Sequence, residues 1–483
     1  MSSSNPLSTF LSRRHFLQEC RYGLGKIALA SLLSNPIQGI AKAAATRGAD
    51  SSNLTARPPH FAPRAKAVIH LFMGGGPSQL DLFDYKPKLT KYEGKSFPPE
   101  VIGGQRYAFI RPDAAALGPR FKFAKHGECG AELSEVLPHL AEVVDDICII
   151  RSVHTDQFNH APAELFFTTG FSQPGRPSIG SWATYGLGAE TSELPAYVVL
   201  STGEGPAAGP PLWGSGFLPA EFDGVLLRNQ GDPVLHVTNP AGVDARLQRD
   251  TLDLLGTLNR ERQQISGDPR ITARIASYEM AYRMQTSAPE LTDLRSETQA
   301  TLDLYGVDPQ KPSFARACLL ARRMVERGVR FINVYHCGWD AHNDVAGNSR
   351  ERCGQTDQGS AALVADLKAR GLLDETLVVW GGEFGRTPMI ETNATLGRSH
   401  GRDHHPQACT IWMAGGGIKP GTTYGKTDDL GFHIVENPVH IHDVQATMLH
   451  SLGLDHERLT YRHAGRDFRL TDVSGKVIRE VLA

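Results

Sequence analysis

Thr376-Leu377-Val378-Val379-Trp380-Gly381-Gly382-Glu383-Phe384-Gly385-Arg386-Thr387-Pro388 is the stretch from which the fold is read. A short run rich in Val and Leu stops at two glycines, a carboxylate, a further glycine and an arginine. Such a run reads as a buried strand, and the glycines let its loop turn tightly. In open α/β sheets, ligands sit beyond the carboxyl ends of the strands. Glu383 and Arg386 are therefore expected at the mouth of a site. Two other segments end in polar clusters, His336-Cys337-Gly338-Trp339-Asp340-Ala341-His342-Asn343-Asp344 and His400-Gly401-Arg402-Asp403-His404-His405-Pro406. The expectation is a scaffold that brings these three loops together.

Outward from this stretch, apolar runs place further strands at 65–73, 147–153, 196–201, 331–335 and 407–414. Helical spacing is read at 133–144, 314–327, 357–370 and 442–452, with two or three outer helices within 244–306. Pro162 suits the first turn of a helix, which puts His160 just before a helix N-terminus, a position suited to an anion. Residues 202–240, rich in Gly and Pro, read as a surface excursion over the site, and 85–130 as irregular. Strands alternating with helices give an α/β class with a mostly parallel sheet covered on both faces.

The chain has 483 residues, 40% of them hydrophobic, enough for one large α/β domain or two smaller ones. The formal net charge of -2 and the lack of a basic stripe argue against nucleic acid as a partner. The 49 glycines and 30 prolines fit a loop-rich enzyme better than a helical bundle. No apolar run in the body approaches the ~20 residues of a membrane span.

At the N-terminus, Ser12-Arg13-Arg14-His15-Phe16-Leu17 is a twin-arginine pattern. A mildly apolar stretch follows, then Ala41-Lys42-Ala43-Ala44-Ala45 offers small residues for cleavage. Residues 1–45 read as an export signal handled by the twin-arginine machinery, and 46–64 as a linker to a domain over 65–483. The mature protein is then expected in the periplasm or outside the cell. The seven cysteines include no CxxC pair, so a zinc ribbon is not indicated. Cys148, Cys318 and Cys409 lie in apolar runs and read as small buried hydrophobes.

His336, Asp340, His342 and Asp344 lie close together after a strand, and imidazole with carboxylate is a donor set for a divalent cation. His404 and His405, with Glu383, extend that set from the other two loops. Arg386 and Arg402 are candidates to hold an oxyanion. Each of these residues also has a plain reading as a polar loop residue. His70, inside a strand, reads as a core histidine, and His440, His442 and His450 as packing or capping residues. Gly74-Gly75-Gly76 lacks the lysine of a nucleotide-binding loop. No Gly-x-Ser-x-Gly elbow exists.

Taken together, Met73-Gly74-Gly75-Gly76-Pro77-Ser78, Asn159-His160-Ala161-Pro162, Gly338-Trp339-Asp340-Ala341-His342, Gly381-Gly382-Glu383-Phe384-Gly385-Arg386-Thr387-Pro388 and Gly401-Arg402-Asp403-His404-His405-Pro406 resemble an exported, sulfatase-like family, domain of unknown function 1501. The resemblance spans essentially all of the mature chain. It implies a branch of the alkaline phosphatase and sulfatase superfamily and its three-layer sandwich. That superfamily holds one or two divalent metals at strand ends, beside a nucleophile at a helix start. Counting back from Thr169-Gly170 sets His160 at the sulfatase cysteine, Pro162 at the proline and Glu164 at the arginine. A formylglycine is therefore excluded. The usual paired aspartates become Gly74-Gly75, and the Asp-His pair becomes Glu383-Phe384.

The sequence thus leads to an exported metal-dependent hydrolase of a sulfate or phosphate ester, small or polysaccharide, that works without formylglycine. Asp340, His342, Glu383, His404 and His405 are its metal ligands, with Zn, Mn, Ca or Mg left open. His160 faces the reacting group, Arg386 or Arg402 steadies the oxyanion, and His336, Asp344, Asn159 and Ser78 stand behind them. The alternative is a protein that keeps the fold but only binds sulfated or anionic glycans.

Overall fold

The computed structural model describes residues 54–102, 110, 111, 113–228, 239, 242–268 and 270–483. The expected export signal and the first part of the linker lie outside the described residues. The later part, 54–64, is not a free tether. Arg57 N donates to Leu187 O at 2.8 Å, His60 N to Gly453 O at 2.9 Å and Arg64 N to Ser451 O at 2.9 Å.

Eight strands run in spatial order through the central sheet: β10 (Thr422–Tyr424), β2 (Ile147–His154), β9 (Cys409–Ala414), β6 (Thr376–Gly381), β1 (Ala67–Gly74), β5 (Phe331–Cys337), β3 (Tyr197–Thr202) and β4 (Val225–Leu227). A ninth, β11 (Val439–His440), also pairs with β2. All pairings are parallel except those of β9, which is antiparallel to both β2 and β6. A separate antiparallel hairpin joins β7 (Gly385–Asn393) to β8 (Arg398–His405).

The strands are apolar at nearly every position because both sheet faces are covered. Ile69, Leu71 and Met73 of β1 enter one core, and Val68 and Phe72 enter the other. The first core is closed by α6 (Phe314–Glu326) and α7 (Val345–Ala369), through Leu319, Met324, Leu363 and Leu367. The second is closed by α1 (His160–Thr169), α2 (Ile179–Leu187) and α8 (Ile441–Ser451), through Phe167, Trp182, Val444 and Met448. Helix, sheet and helix make the expected three-layer sandwich. The outer helices within 244–306 are α3 (Ala245–Ser266), α4 (Arg270–Thr292) and α5 (Gln299–Tyr305).

Three local expectations are corrected. Residues 133–144 are not a helix: Ala131–Ser134 is a strand paired with Phe123–His126, and only Leu140–Asp146 turns, as a 3₁₀ segment. Pro138 falls inside the apolar spacing and interrupts it. Helix α7 begins at Val345 rather than near 357, with Asp344 as its N-cap. The segment from His400 to His405 is strand, not loop, and Gly401–His405 is buried throughout. Among the described residues no disulfide forms, and Cys148, Cys318 and Cys409 are buried. No described helix is long and apolar enough to cross a membrane.

Candidate metal centre

The carboxyl ends of β1, β2, β5 and β6 open onto one edge of the sheet, and the β7–β8 hairpin is docked there by its backbone. Arg402 N donates to Ala341 O and Asp344 N to Ser399 O, each at 3.0 Å. The centre of this edge is the Asp340 carboxylate, whose side chain is 41% exposed. Three imidazoles meet it through Nε2: His342 at 3.0 Å from Oδ1, His404 at 3.3 Å from Oδ1, and His160 at 3.3 Å from Oδ2. One donor atom from each of these four residues lies within 4.8 Å of every other.

Each imidazole is held from behind by its Nδ1. His160 donates to Glu383 Oε1 at 2.7 Å, His404 donates to the Phe158 carbonyl at 2.6 Å, and His342 donates to Glu391. A ring whose Nδ1 carries the proton presents a lone pair at Nε2, and partners of this kind fix metal-binding histidines. Phe384 packs against His404 with ring centroids 4.5 Å apart and against His160 at 5.1 Å.

The charges follow from this packing. Burial pushes the His160 imidazole down, but Asp340 and Glu383 outweigh it and raise it to about 9. His342 is raised in the same way, with Asp340 and Glu391 overcoming burial. Burial dominates at His404, with Arg386 and the other two imidazoles adding to it, and lowers it to about 3. Burial alone would raise the Asp340 carboxyl, but the three imidazoles and Arg386 hold it well below the usual carboxylate range.

The remaining candidates take other places. Glu383 is wholly buried behind His160, where its oxygens accept from Gly75 N at 3.0 and 3.2 Å. Gly75 has φ 113°, and a Cβ there would lie 2.5 Å from Asp340 N, so only glycine lets the loop after β1 meet the loop after β5. His405 points away from the cluster, and its Nε2 lies 2.9 Å from the Phe432 carbonyl. Successive strand residues face opposite ways, so His404 and His405 of β8 cannot both face the centre. Arg386 is wholly buried and spends its donors on Gly75 O, Gly76 O, Arg402 O and Asp340 Oδ1, the last at 2.6 Å. It braces Asp340 rather than facing an oxyanion. Arg402 is buried away from the centre, paired with Asp81 at 2.8 Å and bonded to the carbonyls of Leu117, Thr387 and Gly118.

Among the supporting residues, His336 bonds Thr202 at 2.9 Å and Gln355 at 3.0 Å, lining a different cavity of about 750 Å³. Asp344 caps α7 through Gly347 N. Asn159 occupies the N-cap of α1 without a side-chain bond, and His160 is the first residue of that helix. Ser78 donates to Asp81 at 2.6 Å. Glu164 accepts from Ala207 N and Ala208 N at 3.1 and 2.8 Å, and burial together with Glu383 raises it to about 7. It ties the excursion after β3 to α1. Sequence reasoning missed Glu391 and the Phe158 carbonyl. A Glu directly after Met389-Ile390 was a signal for the first, and nothing in the sequence marks the second.

No curated protein sequence matches the chain. Among solved structures, the lipoteichoic acid synthase LtaP from Listeria monocytogenes is similar at 10% identity, over 86% of this chain and 78% of that one, with a TM-score of 0.35. The PsFucS1 sulfatase from Pseudoalteromonas sp. is similar at 13% identity, over 83% and 69%, with a TM-score of 0.34. The TAB5 alkaline phosphatase mutant His 135 Glu is similar at 11% identity, over 81% and 99%, with a TM-score of 0.33. Residues 65–482 match the profile of one family, and the chain belongs to it: the protein of unknown function family DUF1501.

Proposed function

We propose that this chain is an exported, metal-dependent hydrolase of a sulfate or phosphate ester, whose cation is held by His160, Asp340, His342 and His404. The observation that supports it is the convergence of three Nε2 atoms on one carboxylate, each ring fixed by its own Nδ1 partner. The donor spacing supports it too. Tetrahedral ligands at metal distances of ~2.0–2.1 Å stand about 3.3 Å apart, and the two contacts to Asp340 Oδ1, from His342 and His404, are 3.0 and 3.3 Å. Nε2 of His160 is buried and meets only the Asp340 carboxylate, at 3.3 Å, so it faces the same point as the other two rings. Three nitrogens and one oxygen suit Zn or Mn better than Ca or Mg, which take oxygen ligands.

When bound, such a cation supplies polarisation of an ester oxygen and a water acidic enough to attack near neutral pH. The chain's own residues do the rest. Glu383, Glu391 and the Phe158 carbonyl keep the ring protons on Nδ1. Arg386 locks Asp340 in place. The amino end of α1, beside His160, favours the anionic oxygens of the ester. The exposed side of Asp340 is where substrate reaches the centre.

The test is metal content of the exported chain purified without chelators, followed by turnover of aryl sulfates, aryl phosphates and sulfated polysaccharides. Stoichiometric Zn or Mn, lost in Asp340→Ala and His404→Ala together with turnover, is the expected result. Turnover that survives both a chelator and Asp340→Ala overturns the reading.

A further inference from the structure

The sheet edge that carries the metal centre also opens onto a cavity of about 750 Å³, within the ~300–1,000 Å³ of small-molecule sites. It lies at the carboxyl ends of β3, β4 and β5, where Thr202, Leu227 and His336 bound it, and the start of α6 at Phe314 closes it. The hydrolysis described above makes no use of it. Two arginines, Arg228 and Arg352, line the cavity, and among the described residues no carboxylate does. A cleft with cations and no acid in its wall concentrates anions.

Arg352 is set in place before any ligand arrives. Its Nη1 donates to Gln355 Oε1 at 2.9 Å. That oxygen lies 3.0 Å from Nε2 of His336, whose Nδ1 lies 2.9 Å from the Thr202 hydroxyl. Nη2 pairs at 3.1 Å with Glu351, a surface carboxylate 58% exposed, and Nε is buried with no hydrogen-bond partner. A guanidinium has five N–H donors, so donors are left for a ligand. Burial, with the charge of Arg352 adding to it, lowers the His336 imidazole to about 4 against the Gln355 contact that raises it. The ring is therefore neutral near pH 7, and the charge of the wall belongs to the arginines. Leu226, 45% exposed, and Phe314 add apolar surface for the body of a ligand.

The size and place of the cavity say what kind of anion it takes. Strands lie ~4.8 Å apart, so three neighbouring strand ends make a floor ~10 Å wide. A bare sulfate or phosphate would leave most of it to water. Ser201 and Thr202 of β3 line its middle, hydroxyls that suit a sugar better than a lipid tail. A Cβ on Gly338 would lie 3.1 Å from Cζ of Arg352, so this end of the cavity touches the loop that carries Asp340. His336 and Asp340 are four residues apart, at most ~14 Å of chain. We infer that the cavity binds a sugar unit bearing sulfate or phosphate, the neighbour in one chain of the unit whose ester lies at the metal centre. The second half of that statement rests on the hydrolase reading, and the binding of the anionic sugar stands without it.

Calorimetry of the full exported chain tests this, with sulfated maltotetraose, maltotetraose phosphorylated to the same degree, plain maltotetraose and inorganic sulfate. One of the two esterified sugars is expected to bind, and which one names the ester. Plain maltotetraose and inorganic sulfate bind ~10-fold more weakly or worse. Arg228→Gln combined with Arg352→Gln weakens the esterified sugar ~10-fold or more. Lys91→Gln combined with Lys95→Gln, which removes as much charge from outside the cavity, does not. In turnover the arginine pair raises KM for the esterified tetrasaccharide by the same factor and leaves kcat, and all turnover of an aryl ester, unchanged. Binding through the arginines with no ester cleaved supports the cavity and removes the hydrolase reading. Cleavage with a KM indifferent to the arginines overturns the inference and leaves the hydrolase. Equal losses in the arginine and lysine variants overturn it as well, because the attraction would then be general charge.

Discussion

Replacing Glu383 with Gln tests how the centre is held together. The carboxylate serves two donors: Nδ1 of His160 at 2.7 Å, and Gly75 N with both oxygens at 3.0 and 3.2 Å. Glutamine keeps one acceptor oxygen and turns an NH₂ group toward the other donor. If the NH₂ faces His160, Nδ1 must become an acceptor, and the ring proton moves to Nε2, where the lone pair is needed. If it faces Gly75, two donors meet in a wholly buried place, at a cost of ~1–3 kcal/mol. Partners that orient metal-bound histidines are worth ~10–100-fold in affinity, or ~1.4–2.8 kcal/mol. Glu383→Gln is therefore expected to weaken Zn binding by ~10–100-fold, read by competition with a chromophoric chelator on protein whose circular dichroism is native. An affinity within ~3-fold of the parent chain refutes the orienting role. A loss as complete as that of Asp340→Ala also refutes it and makes Glu383 a ligand, as the sequence first suggested.

Neighbouring histidines are expected to separate cleanly: His404→Ala loses the metal, while His405→Ala keeps it and costs ~1–3 kcal/mol through the loss of a buried ring and its hydrogen bond to the Phe432 carbonyl, measured by metal content and urea unfolding. Arg402→Leu leaves the buried Asp81 carboxylate without its counter-charge, so stability is expected to fall by ~3–5 kcal/mol while the folded fraction still binds metal. His70 is wholly buried, and burial lowers its imidazole to about 3 against the Asn333 contact that raises it. A folded value below the unfolded one means that its contribution is present above pH ~6.5 and is lost as pH falls toward ~3, at ~1.4 kcal/mol per unit. His70→Phe should therefore lose ~2 kcal/mol less than the parent between pH 6.5 and 5, and an equal or steeper loss in urea unfolding counts against this account.

The core strands were legible because each is covered on both faces and reads as an unbroken apolar run. Residues 376–380 and 331–335 are found within the strands they announced. The β7–β8 hairpin was not legible. Glu391, Arg402, Asp403, His404 and His405 are all buried, yet a run of such residues reads as a solvated loop. It can be buried only because its charges find partners far along the chain, Arg402 on Asp81 and Glu391 on His342. Once β8 is seen as a strand, alternation alone separates His404 from His405. The loops that meet were readable, but the depth to which each side chain reaches was not: Glu383 and Asp340 look alike as acids after strands, and only the turn at Gly75 sets one behind the other.

The reversed direction of β9 has a consequence for engineering this fold. Because β9 runs against its neighbours, its first residue, Cys409, rather than its last lies at the rim, five residues after His404. Thr155 N also grips Pro406 O at 2.8 Å. The link from His404 into the sheet is thus taut and spot-welded. Grafted peptides, tags or extra residues belong elsewhere, since one residue added between His405 and Cys409 would swing the imidazole out of register with the rim.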